Sequence, residues 1–242
     1  MEQLRTWFAL ATSGPTYAPD AADRADLELV GLAFPRRASV ALLAVTAILV
    51  VDQLRWLVPS APSNGGLFGR AISIERFVLF LGVPLGILVF GFRDAPSRYG
   101  LRLGEWRLGA GLLVAGLVAM TPIILALAAL PQFREYYRVG TAAPLATIVL
   151  DHLVELVPAE FLLRGFLMFA LWRRVGPLAL VVSLVPFVFT HVGKPEIELW
   201  STFFGGAVFA WLNWRTGSIL WSALGHVYVV TLMDVAVGGA TL

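Results

Sequence analysis

The sequence predicts an all-α membrane protein, a polytopic transmembrane helical bundle of about seven spans, or eight if the count is off at one end. Three observations predict it. Hydrophobic residues fill 58% of the 242 positions and charged residues 14%, with a mean hydropathy of +0.80, far more apolar than soluble domains. Apolar stretches of about 20 residues, enough to cross a bilayer as helix, recur along the chain. Most of the charges lie outside those stretches, in the N-terminal arm and the short segments between spans.

Residues 1–37 read as an N-terminal extramembrane arm. Glu2 and the short apolar run from Trp7 to Ala11, which leads into a polar segment, do not make a secretory signal. Residues 38–242 read as a single transmembrane domain, with spans near 38–58, 72–92, 109–130, 145–171, 177–193, 198–214 and 217–238. Asp52, Gln53 and Arg55 interrupt the first. Between the second and third, Tyr99, Leu101, Leu103 and Trp106 alternate with charges over 93–107, which suits a surface helix or turn and an ordinary loop equally. No internal repeat or linker divides the chain.

The basic residues set an expected orientation. Arg36, Arg37, Arg93, Arg98, Arg102, Arg107, Arg173, Arg174 and Arg215 fall on one side, against Arg55, Arg70, Arg76, Arg134, Arg138 and Lys194 on the other. This excess places the N-terminus in the cytoplasm and, with an odd number of spans, the C-terminus outside. Cysteine is absent, which excludes disulfides, thiolate nucleophiles and sulfur-ligated metals. A net charge of +2, spread over short loops, does not point to nucleic acid.

Ionisable groups at membrane depth carry the functional argument, because their burial is costly. Glu160 and Arg164 lie four residues apart on one helix face, each offsetting part of the other's desolvation, as a structural ion pair also would. In the fifth span Phe187 and His191 share a face just before Gly193, and in the seventh His226 follows Gly225, which permits close helix approach. Two histidines on separate helices, with Glu and Arg on a third, predict one shared polar site. Around it, Asp151 and His152 are expected at headgroup level. Glu155 shares a face with Ala159, and Asp234, about two turns after His226, is its partner or a residue of the far interface.

The order Glu-x-x-x-Arg, Phe-x-x-x-His and a further His after Arg215-Thr216-Gly217-Ser218 resembles the CAAX protease and bacteriocin-processing (CPBP) family of intramembrane glutamate endopeptidases, over about residues 99 to 240. The resemblance implies a general-base glutamate that activates water, histidines that position the water and stabilise the oxyanion, and no covalent intermediate or cofactor. By position, Glu160 and Arg164 match the second glutamate and the arginine of the first motif, and His191 and His226 match the histidines of the second and third. The implied partners are the bilayer and a membrane peptide or a lipidated, C-terminally anchored protein; the Arg-rich, Lys-poor usage of the chain, with Lys194 its one lysine, adds the expectation of a bacterial inner membrane.

Two departures bear on activity. The first glutamate of the first motif, the base, is Ala159, and the Asn or Asp expected four residues after the third-motif histidine is Val230. Little or no hydrolysis is expected as a result. The alanine reads first as an introduced truncation and second as a natural non-catalytic member, which Val230 favours. A third account has Glu155 or Glu160 serve as base. Two other functions stay open: a non-catalytic scaffold or immunity-type peptide binder, and a metal-dependent hydrolase with zinc held by His152, Glu155, His191 and His226. The latter lacks a His-Glu-x-x-His pair.

Overall fold

The computed structural model describes Arg5 and residues 12–54, 74–137, 143–238 and 240–241. A capped turn, α1 (Ala21–Arg24), comes first. The Asp20 carboxylate accepts the Asp23 N–H and the Asp23 carboxylate accepts the Asp20 N–H, which satisfies two backbone donors reciprocally. The antiparallel hairpin β1 (Asp26–Leu29) and β2 (Leu32–Pro35) follows, an element the all-helical expectation misses.

Beyond it run α2 (Arg36–Leu54), α3 (Ile74–Phe92), α4 (Trp106–Ala128), the short α5 (Pro131–Tyr137), α6 (Leu145–Glu160), α7 (Met168–Val175), α8 (Leu178–Phe189), α9 (Glu196–Thr216) and α10 (Leu220–Gly238). A two-residue parallel pair joins Ala143–Pro144 to Ala240–Thr241. Among the described residues, α2, α3, α4 and α10 are long and apolar enough to cross a membrane. The other expected spans are helical but differ in make-up. The α6 helix carries Asp151, His152, Glu155 and Glu160, α8 has only 12 residues, and α9 is diluted by Glu196, Glu198 and Asn213.

Of the alternatives open for 93–107, the structure shows a turn and loop; the helical reading of 190–193 changes. The former segment forms a 3-10 turn, Pro96–Tyr99, with Tyr99 fully buried, and an irregular run that ends at Trp106. The α8 helix stops at Phe189, which leaves His191 in a turn instead of inside a helix. There the His191 and Val192 N–H groups tighten onto carbonyls three residues back, Gly193 adopts φ +97, and Pro195 cannot donate to a continuing helix.

The N-terminal arm is bound to one end of the bundle by charge. Arg37 Nη1 lies 2.6 Å from Asp23 and 3.3 Å from Asp94, while Arg98 reaches Asp20, Asp23 and Asp94 at 2.7, 3.0 and 2.8 Å. Arg173 donates to the Arg98 carbonyl, and Tyr17 Oη donates to the Trp214 carbonyl at 2.7 Å. Arg55, Arg70 and Arg138 lie outside the described residues. The core centres on the run 160–171, which is buried throughout and links α6 to α7.

Candidate functional site

Pro158 lies two residues before the end of α6 and contributes no N–H, so the regular ladder cannot close across it. Directly after Glu160 the backbone widens into a π-helical stretch, Phe161–Leu167, all of it buried. This stretch holds Arg164 inside the core, where a lone guanidinium would be prohibitive. Glu160, 0% exposed, is its counter-ion: Arg164 Nη1 donates to Glu160 Oε1 at 2.6 Å.

The Glu160 carboxylate is fully engaged. His226 Nδ1 donates to Oε1 at 2.9 Å and Ser222 Oγ donates to Oε2 at 2.9 Å, both from α10. Arg164 in turn stacks its guanidinium 3.8 Å from the Phe187 ring centroid and 5.6 Å from that of Phe209. Gly206 on α9 makes the stacking feasible. A Cβ there would stand 2.5 Å from Leu184 Cδ1 and 2.7 Å from Phe187 Cδ1, so the absent side chain is what lets α8 and α9 close around Arg164.

The two histidines converge. Their ring centroids are 6.2 Å apart with planes inclined by 20°, and Phe187 packs on both, at 4.7 Å from His191 and 5.7 Å from His226. His191 Nδ1 donates to the Phe187 carbonyl at 2.8 Å, as His226 Nδ1 does to Glu160. These bonds assign the proton of each neutral ring to Nδ1, leaving Nε2 as its open nitrogen.

Both imidazoles line a cavity of about 770 Å³, and Ala159 and Val230 line the same cavity. Where the resemblance expects a carboxylate and an amide or acid, the wall carries two small apolar side chains. Glu155 lines it one turn earlier, bonded to Arg76, which also binds Asp52 at 2.8 Å and so ties α2, α3 and α6 together. Lys194 borders the cavity and is held by Glu198 at 2.7 Å. The rest of the lining is mostly apolar, from α2 and α8.

Asp234 pairs with His152. Asp234 Oδ2 sits 3.1 Å from His152 Nε2 and does not partner His226, because eight residues of helix carry it about 12 Å along the axis. His152 thus joins the α6–α10 contact, with its Nδ1 2.8 Å from Thr231 Oγ1. Two residues of the metal reading have other partners, Asp234 for His152 and Arg76 for Glu155, and among the described residues no group of three His, Cys, Asp or Glu side chains could hold an ion.

Sequence reasoning missed Ser222, Gly206 and Phe209. Ser222 had a legible signal, since it precedes His226 by four residues on one helix face. Gly206 and Phe209 had none, because their roles depend on how α9 meets α8.

Residues 141–232 match the family described as type II CAAX prenyl endopeptidase Rce1-like. No curated protein and no solved structure matches the chain. The matched segment contains the buried Glu160–Arg164 pair, the contacting Phe187 and His191, and the Ser222 and His226 donors. The chain is therefore an integral membrane protein of helical, polytopic architecture that carries, over residues 141–232, an Rce1-like domain of the CAAX protease and bacteriocin-processing family.

Proposed function

We propose that the cavity receives the C-terminal or membrane-proximal part of a membrane-associated peptide or lipidated protein, in the manner of an intramembrane glutamate endopeptidase, and that with alanine at 159 the chain holds this substrate without cutting it. The observation that carries the reading is the state of the carboxylates. Ala159 and Val230 share the cavity with His191 and His226, whereas Glu160 is enclosed by three donors and Glu155 is bound to Arg76. A general base must reach its water within a hydrogen bond; Glu160 has both oxygens engaged, and Glu155 is held through Oε1 by Arg76 one turn away from residue 159.

Restoring the base defines the chemistry. In an Ala159→Glu protein, the new carboxylate takes a proton from water while the hydroxide oxygen adds to the scissile carbonyl. An imidazole carrying a second proton on Nε2 donates to the resulting oxyanion, and the carboxylate returns its proton to the departing amine. The amphipathic cavity suits a substrate with an apolar tail and a polar peptide.

The test uses the full chain in liposomes with fluorescent prenylated peptides, reading binding by anisotropy and cleavage by mass spectrometry. The unaltered chain is expected to bind without cleaving, and Ala159→Glu with Val230→Asn to cleave. Absence of binding overturns the proposal. Cleavage by the unaltered chain that Glu155→Gln abolishes overturns its non-hydrolytic part and makes Glu155 the base. Binding that persists while the double variant cleaves nothing removes the protease reading in favour of a scaffold.

A further inference from the structure

The β1–β2 hairpin is amphipathic in a way the bundle does not use. Its register pairs Leu27 with Phe34 and Leu29 with Leu32, and alternation along each strand puts these four side chains on one face. Asp26, Glu28, Ala33 and Pro35 occupy the other face. All four apolar side chains are exposed, Leu29 by 58% and Leu32 by 60%, and Val30 at the tip by 93%. The two-residue turn needs positive φ at both positions, which usually selects Asn or Gly. Here Val30 accepts φ +54 beside Gly31 at φ +75, so a β-branched apolar residue stands at the tip despite its poor fit there.

The hairpin's position names the occupant. Strand β2 runs without a break into α2, a helix long and apolar enough to cross the membrane, and the Arg36 N–H closes the hairpin base on the Ala25 carbonyl. Arg174 at the end of α7 donates to Asp26 Oδ1 at 2.8 Å and to the Arg24 carbonyl, which ties the polar face to the bundle and leaves the leucine face uncovered. Arg24 and Arg36, both exposed, flank the base, while Glu28 stays on the polar face. Each strand is about 14 Å long, enough to lie across the headgroup layer from the point where α2 enters it.

We propose that the Leu27–Leu29–Leu32–Phe34 face and Val30 embed in the leaflet beside α2, with Arg24 and Arg36 at the level of anionic phospholipid headgroups. The hairpin is then an interfacial anchor that fixes the depth of the bundle end where the N-terminal arm is bound.

The chain has no native cysteine, so single labels report cleanly. Leu29→Cys and Glu28→Cys are neighbours on opposite faces, and Val30→Cys repeats the test at the tip. Each full-length variant carries an environment-sensitive fluorophore and is reconstituted in phosphatidylcholine–phosphatidylglycerol vesicles. Nitroxide lipids are expected to quench positions 29 and 30 several-fold more than position 28, and aqueous iodide to show the reverse order. Equal accessibility at all three positions overturns the proposal. So does shielding at 29 that tracks the protein-to-lipid ratio with 29–29 cross-links, which identifies a second copy as the occupant, or shielding that deletion of residues 1–11 abolishes, which identifies the chain's own N-terminus.

Discussion

Glu160→Ala removes a carboxylate that accepts three hydrogen bonds at 2.6, 2.9 and 2.9 Å and leaves Arg164, 1% exposed, as an uncompensated cation in the core. Breaking a buried ion pair from one side costs about 3–5 kcal/mol. The orphaned Ser222 and His226 donors add to the cost, but they share the same vacated space and do not add in full. For a chain of this size about 4 kcal/mol corresponds to a fall in Tm on the order of 10 °C. Glu160→Gln keeps the shape and one acceptor, so it costs less. Replacing both partners, Glu160→Gln with Arg164→Met, removes the charge problem along with the pair, and recovers much of the loss seen in Arg164→Met alone, where the carboxylate is stranded. The assay is thermal unfolding in a fixed detergent for the two single variants and the double, read as a double-mutant cycle. A drop below about 2 °C for Glu160→Ala, or strict additivity in the cycle, would refute the reasoning, because it would mean that the pair is hydrated or that the two residues act separately.

Other outcomes follow from the same geometry. Gly206→Ala inserts a Cβ 2.5 Å from Leu184 Cδ1 and 2.7 Å from Phe187 Cδ1, an overpacking expected to cost about 1–3 kcal/mol and to weaken peptide binding by tilting Phe187 off Arg164. Gly205→Ala, with nothing within 4 Å, is expected to be neutral or slightly stabilising, and the two are compared by Tm and anisotropy. Burial at Asp20 works the other way, but the Asp23 N–H and the Arg98 guanidinium hold its carboxyl well below the usual range. Its contribution is therefore complete above about pH 4, the ordinary aspartate value, and falls away as pH drops below that toward the lowered value. Hydrogen exchange at α1 is expected to rise across that acidic window, less steeply in Asp20→Asn. Asp234→Asn removes the carboxylate charge that lies 3.1 Å from His152 Nε2 and should loosen α6 from α10, seen as faster exchange in α6 around residue 152, with Glu160 and its donors unmoved.

The helical bundle was legible because burying apolar stretches of span length depends little on partners. The site was legible where its logic is local. Glu160 and Arg164 share a helix face, and Phe187 and His191 touch at the same spacing whether the chain there is helix or turn. The pairing of Asp234 with His152 was not legible, because sequence spacing relates Asp234 only to its own helix while α6 supplies the partner. The Arg76 link to Asp52 and Glu155 spans three helices and has no sequence signature. The hairpin carried the alternation Leu-Glu-Leu and Leu-Ala-Phe around Val30-Gly31, yet strands of four residues are easily lost before a long apolar helix.

The central claim is that residue 159 faces the substrate within the cavity it shares with His191, His226 and Val230. Ala159→Cys in the otherwise cysteine-free chain tests it through disulfide capture of a prenylated peptide bearing one cysteine at the position next to the scissile bond. The account predicts efficient capture that excess unlabelled prenylated peptide blocks, and loss of capture when Val230→Trp fills the cavity. Capture no better than at Val118→Cys, exposed on α4 and outside the cavity lining, or insensitive to competitor, would contradict it.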